Sequence, residues 1–293
     1  MTMNQHPSVA VLGLGAMGHA FAANLLKKSF HVSGWNRTRS RGEDLTANGL
    51  VLCDTPEKAV ADAEVVIVML SDGATTLSTC AQILPVLKPG AVLCQMGTIG
   101  VDATQQLIDS IHQQRPDVVL LDAPVSGTKA PAEQAQILVL ASGDRQRAAA
   151  IEPVFAAISK GAKWLGEAGA GSKMKLVANA WLVSVMQGVA ESTQLAQQFG
   201  FTPDDFWQVL DGGPLAAPYV KGKLAMIAAG EYPAQMQLTW ALKDARLALE
   251  AAGDRPMPGL QTIATQWQGA VDAGYGDKDL SVVYRYLHEQ NKK

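Results

Sequence analysis

Residues 9–18 read VAVLGLGAMG, a short apolar run that closes on three glycines at the spacing G-x-G-x-x-G. A helical pattern, AMGHAFAANLLKKS, opens directly from them. No other feature narrows the fold as much. Glycine-rich hexamers alone are weak signals, but a strand before and a helix after make this one a candidate dinucleotide turn. Each glycine then has a reason. Gly13 permits the tight turn, Gly15 lets the backbone approach a pyrophosphate, and Gly18 lets helix and strand pack closely. The helix N-terminus that follows favours the anion.

The chain continues in the same manner. Strand-like runs are HVSGWN, EVVIVML (64–70), AVLCQM (91–96), VVLLDAPV (118–125) and ILVLAS (137–142), with helical stretches such as TTLSTCAQILPVL and DATQQLIDSIHQQ between several of them. Strands alternating with helices predict a parallel sheet covered on both faces, and strands buried on both sides read as continuous apolar runs. Near residue 165 the character changes, and from Lys173 onward strand signal almost vanishes. The stretch LVANAWLVSVMQGVAESTQLAQQFG predicts one helix of roughly 25 residues ending at Gly200, apolar on most faces and so buried between domains or subunits. The expected fold is an α/β Rossmann doubly wound sheet over residues 1–165. An all-α domain over 166–293 follows, the two joined by the long helix; 293 residues suffice for both.

Composition excludes several classes. Net charge is −3 with 17% charged residues, so there is no basic patch for nucleic acid. Runs such as AEVVIVML are too short to cross a bilayer, and MTMNQHPS lacks the basic start and apolar core of a signal peptide. Cys53, Cys80 and Cys94 sit singly among apolar neighbours, as reduced thiols of a cytoplasmic protein do. The five histidines show no metal spacing and are expected on the surface, so no metal is predicted.

The end of the second strand selects the cofactor. An acidic residue there binds the free ribose hydroxyls of NAD. This chain has Asn36, Arg37 and Thr38 and no carboxylate. A planar guanidinium and a hydroxyl welcome a 2′-phosphate, so NADP(H) is expected. The cofactor contacts would be the loop Gly13, Leu14, Gly15, Ala16, Met17 and Gly18, then Asn36, Arg37 and Thr38, and then Leu70, Ser71 and Thr98 after later strands.

Lys175 and Asn179 stand four residues apart, hence on one helix face. Without the flanking motifs they read as a lysine snorkelling from a helix end and a satisfied polar residue. Read as chemistry, an ammonium supplies a proton or a charge to an oxygen that becomes negative, and burial lowers a lysine pKa toward working pH. Ser126-Gly127 reads as a turn or as a carboxylate cradle of backbone N–H groups and a hydroxyl.

Together VLGLGAMG, GWNRT, VVIVMLSD, DAPVSGTKAPAE (122–133), GAGSKMKLVAN (169–179), LKDARLAL (242–249) and GDKDLSVV (276–283) resemble the β-hydroxyacid dehydrogenase family over nearly the whole chain. That family includes 3-hydroxyisobutyrate dehydrogenases and glyoxylate/succinic semialdehyde reductases. WNRT, PVSG followed by a lysine, and KMKL are most similar to the NADP-using reductase branch. The resemblance implies that Lys175 is the catalytic lysine, Asn179 holds substrate, Ser126-Gly127 binds it, Lys243 lies near the cofactor, and Thr98 matches a family threonine. Two positions depart. Thr128 stands where many relatives carry a further glycine of the substrate loop, and Met236 where a phenylalanine is frequent; Trp240 is a candidate substitute wall.

The expected activity is hydride transfer between NADP(H) and a small carboxylate-bearing aldehyde or β-hydroxyacid, in a homodimer or homotetramer. Imine reductases share the architecture but generally lack the lysine. The sugar-phosphate branch carries a histidine where Ala178 stands. A non-catalytic cofactor-binding assembly module is the alternative from another class, and such relatives tend to lose the lysine.

Overall fold

The computed structural model describes residues 6–290. The start of MTMNQHPS, residues 1–5, lies outside the described residues. Two compact units appear, Met1–Lys175 and Leu176–Lys293.

In the first unit β1 (Val9–Leu12), α1 (Ala16–Lys27), β2 (Val32–Trp35), α2 (Glu43–Thr46), β3 (Val51–Leu52), α3 (Pro56–Val60), β4 (Val65–Val68) and α4 (Gly73–Ile83) follow in order. Then come β5 (Val92–Gln95), α5 (Val101–Gln114), β6 (Val119–Asp122), β7 (Val125–Ser126), α6 (Lys129–Glu133), β8 (Ile137–Gly143), α7 (Glu152–Ile158) and β9 (Ser159–Trp164). The sheet order is β3-β2-β1-β4-β5-β6-β8-β7, with β9 beside β8. Strands β3 to β6 along this path are parallel in register, Val9 facing Val32 on one side and Val65 on the other. Side chains of a strand alternate between faces. Val9, Val11, Val65 and Ile67 therefore pack with Phe21 of α1 and Phe155 of α7. Ala10, Leu12, Val66 and Val68 pack with Cys80 and Ile83 of α4. Apolar residues at every position of β1 and β4 follow from a sheet buried on both sides.

The sheet is not parallel throughout. Strand β8 runs antiparallel to β6 and β7. The run 118–125 is not one strand but two, because Pro124 has no N–H for the ladder and the chain changes partner there. Strand β9, SKGAKW, was not legible as a strand. It pairs only with β8, and of its residues only Ser159 is buried, so it needs no apolar run.

Helix α8 spans Ala170–Gln198, 29 residues, beginning earlier than its apolar run. Its residues 170–175 belong to the first unit and the rest to the second. The second unit continues with α9 (Pro203–Leu210), α10 (Pro218–Ala229), α11 (Leu238–Ala252), α12 (Pro258–Ala270) and α13 (Val283–Gln290). Its described residues hold no strand beyond an isolated bridge between Gln237 and Asp279. Thr202 and Asp205 form a reciprocal capping box at α9. Buried Trp267 donates its indole N–H to Gln187 Oε1 at 2.8 Å, tying α12 to α8. Burial of α8 was expected between domains or subunits; within the single chain Val177, Trp181, Leu195 and Phe199 are exposed.

Candidate active site

Adjacent parallel strands place their carboxyl ends side by side, and the loops of interest leave from those ends. Gly13, at φ +94°, has no room for a side chain: a Cβ would lie 2.2 Å from the Met69 carbonyl oxygen. A Cβ on Gly18 would lie 1.9 Å from the Gly13 carbonyl oxygen. Gly15 differs, since a Cβ there meets nothing within 4 Å. Its missing side chain leaves space that no protein atom fills, which suits a pyrophosphate against the backbone and the start of α1.

The second loop is joined to the first. Leu14 N–H donates to Asn36 Oδ1 at 2.9 Å, and Asn36 Nδ2 donates to the Thr38 carbonyl at 2.9 Å. Asn36 thus works as a brace between loops. Arg39 is held by Asp54 at 2.6 Å. Arg37 is exposed and, among the described residues, makes no ion pair or hydrogen bond. Thr38 is exposed beside it. No carboxylate stands at the end of β2. These residues fit NADP.

The third and fourth loops follow β4 and β5. Leu70 lies against the Gly13 turn, and the Leu70 carbonyl would be 2.6 Å from a Cβ on Gly97. Buried Gln95 clamps the turn before Thr98, accepting from the Gly97 N–H at 2.6 Å and donating to the Gly97 carbonyl at 2.9 Å. Ser71 donates to Asp72, whose other oxygen caps α4 through the Thr75 N–H at 2.8 Å. Sequence reasoning missed Gln95, because a glutamine within an apolar run carries no local sign of what it clamps.

Beyond β6 comes the loop with Ser126 and Gly127 exposed and Thr128 half-buried. Gly127 has φ +137°, and a Cβ would lie 2.7 Å from Ile137 Cγ2, so glycine is required. Thr128 precedes α6 but makes no side-chain cap. Lys175 is half-buried in the second turn of α8.

The second unit has its own cluster. Asn179 is 2% exposed and donates Nδ2–H to Asp244 Oδ2 at 2.6 Å. Lys243 Nζ lies 3.1 Å from Asp244 Oδ1 and 6.0 Å from the Trp240 ring centre. Asp244 was not anticipated as part of this cluster. Trp240 is 41% exposed, so it is not a core tryptophan, and Met236 is half-buried.

Among the described residues no group of three or more His, Cys, Asp or Glu is placed to hold a metal ion. No described helix is long and apolar enough to cross a membrane. Burial pushes the Cys80 thiol up to about 12 and the Cys94 thiol up as well, which leaves both unreactive.

Known proteins share this organisation. The profile of the NAD-binding domain of 6-phosphogluconate dehydrogenase matches residues 8–166. That of the NAD-binding domain of NADP-dependent 3-hydroxyisobutyrate dehydrogenase matches residues 169–287. Glyoxylate/succinic semialdehyde reductase 1 of Arabidopsis thaliana is 34% identical over 281 residues, covering 94% of this chain and 96% of the relative. The chloroplastic reductase 2 of the same plant is 31% identical over 288 residues, 96% of this chain and 79% of its own length. A 3-hydroxyisobutyrate dehydrogenase of Mycobacterium tuberculosis, solved with L-serine, superposes with a TM-score of 0.86 at 25% identity, covering 96% and 99% of the two chains.

Proposed function

The chain belongs to the β-hydroxyacid dehydrogenase family, and from that premise we propose that it is an NADPH-dependent reductase of small aldehyde acids, also able to oxidise the matching hydroxyacids. The observation that carries this reading is Lys175, one turn before Asn179 on a helix whose start is fastened to the sheet beside the Ser126-Gly127 loop. Glyoxylate and succinic semialdehyde, named for the Arabidopsis relatives, are the first substrates to test.

Bound NADPH supplies the hydride. The loop 13–18 would hold the pyrophosphate, Arg37 and Thr38 the 2′-phosphate, and Leu70, Ser71, Thr98 and Lys243 the rest of the cofactor. Ser126 and the backbone of Gly127 and Thr128 would hold the substrate carboxylate. As the carbonyl oxygen gains charge, the Lys175 ammonium donates its proton to that oxygen, and in oxidation the neutral amine takes it back. Asn179, its amide oriented by Asp244, would hold the same oxygen. The exposed apolar residues of α8 support a homodimer or homotetramer, and the three unpaired thiols support a cytoplasmic setting.

The test is NADPH oxidation over a panel of aldehyde acids, run with NADH and with Lys175→Ala. Turnover that persists in Lys175→Ala, or none on any aldehyde acid, sinks the reading.

A further inference from the structure

Helix α8 begins without a capping side chain of its own, since Gly169 (φ +97°) precedes it. The cap comes from the sheet. Asp122, the last residue of β6, is 1% exposed. Its Oδ2 accepts the Ser172 N–H at 2.7 Å, and its Oδ1 accepts the Ser172 hydroxyl at 2.6 Å. Ser142 extends the clamp. Its hydroxyl donates to the Asp122 carbonyl at 2.9 Å and accepts the Gly171 N–H at 2.9 Å. Thr104 Oγ1 stands 3.1 Å from Ser172 Oγ. Gly171 is pressed so close that a Cβ would fall 2.3 Å from the Leu140 carbonyl oxygen and 2.7 Å from that of Asp122.

We infer that Asp122 is a positioning residue for the reaction, fixing the seat and the roll of α8 and thereby the direction of Lys175. The inference rests on the reading of Lys175 as proton donor. Its physical basis is the helical repeat. Residues three, four and seven apart share a stripe, so Ser172, Lys175 and Asn179 lie along one line of α8. A residue gripped through both its backbone amide and its side chain cannot rotate about the helix axis. A carboxylate is the right grip, because it offers two acceptors and its charge meets the positive end of the helix. Burial pushes the Asp122 carboxyl above its usual range, while the Ser172 and Ser142 bonds oppose that rise. A carboxylate this deep is held there by the groups it clamps.

The full-length chain with Asp122→Asn, Ser172→Ala, Ser172→Thr or Lys175→Ala tests this. Four quantities are read: kcat and KM on succinic semialdehyde, NADPH affinity by fluorescence, the melting temperature, and amide exchange in the first turn of α8. Asp122→Asn and Ser172→Ala are expected to lower kcat about 10- to 100-fold, the scale of an ångström-sized misplacement. NADPH affinity and KM should stay within about twofold, first-turn exchange should speed up, and Ser172→Thr should restore most of kcat. An unchanged kcat in Ser172→Ala and Asp122→Asn, with Lys175→Ala inactive, overturns this inference alone. Equal losses of kcat and NADPH affinity, tracking the melting temperature, overturn it as well, because the clamp would then be structural only. Full kcat in Lys175→Ala overturns the proton-donor reading and this inference with it. Should Asp122→Asn fail to fold, Ser172→Ala decides, since it keeps the amide bond.

Discussion

Asn179 and Asp244, on α8 and α11, meet across 2.6 Å with both side chains buried. The bond orients the amide of Asn179, with its nitrogen toward the carboxylate. Asn179→Ala removes a bond to a charged group, worth about 1.5–3 kcal/mol. It should cut kcat/KM by about 100-fold while leaving NADPH binding intact. Asn179→Asp should be worse, because it sets two carboxylates in that space. Steady-state kinetics and melting temperatures of the two variants check the order.

Arg37 controls cofactor choice if it meets the 2′-phosphate. Arg37→Asp is expected to lower the NADPH-to-NADH ratio of kcat/KM by about 100-fold, consistent with the loss of a charge-assisted bond plus repulsion. Kinetics with both cofactors measure it. An unchanged ratio removes Arg37 from the phosphate site.

Gly13 and Gly15 should fail in different ways. A Cβ on Gly13 collides with the Met69 carbonyl at positive φ, so Gly13→Ala should destabilise the fold itself. A Cβ on Gly15 meets no protein atom, so Gly15→Ala should melt like the unmodified chain yet bind NADPH at least tenfold more weakly, about 1.4 kcal/mol. Calorimetry and a fluorescence titration separate the two effects.

Lys223 and Asp279 form a buried ion pair at 2.7 Å in the second unit, and Asp279 also accepts from Gln235 N–H, Met236 N–H and Ser281. Burial alone would raise the Asp279 pKa, but the Lys223 ammonium and the Ser281 bonds outweigh it and hold the carboxyl below its usual range. With the folded value below the unfolded one, at about 3.9, the pair's contribution is complete above that pH. It drains away as pH falls through the folded value. Melting temperature should drop steeply below about pH 4, and Asp279→Asn should flatten that drop. Lys223→Met at pH 7 should cost about 3–5 kcal/mol, the penalty of a buried charge left without its partner.

Trp181, 71% exposed on α8, is the sharpest probe of assembly. If α8 forms the proposed subunit interface, Trp181→Glu should shift the mass in light scattering toward the monomer, because a charge buried in an apolar interface goes unpaired. The same mass for both proteins would remove this face of α8 from the proposed assembly.

Sequence reached the features that local constraint writes down. The Gly13–Gly18 turn was legible because a strand, a spacing and a helix coincide in ten residues. The two-faced burial of β1 and β4 was legible because it demands unbroken apolar runs. Strand β9 was hidden, since Lys160, Gly161 and Lys163 serve an edge and carry no core signal. The break at Pro124 hides within an apolar run, where only the change of partner reveals it. The spacing of Lys175 and Asn179 is local and was read. Asp122, Gln95 and Asp244 act through contacts that the fold alone creates, so their sequence neighbours are silent about them.

The closeness of Gly171 to the end of β6 and to Leu140 of β8 decides where this chain can be cut. A grafted nucleotide-binding half that stops before that glycine exposes a carboxylate shaped for a helix it no longer has. One that runs through Lys175 brings its own plug. Builders of chimaeras in this fold should therefore place their junction after the first turn of α8, and not in the glycine-rich approach that looks like a natural hinge.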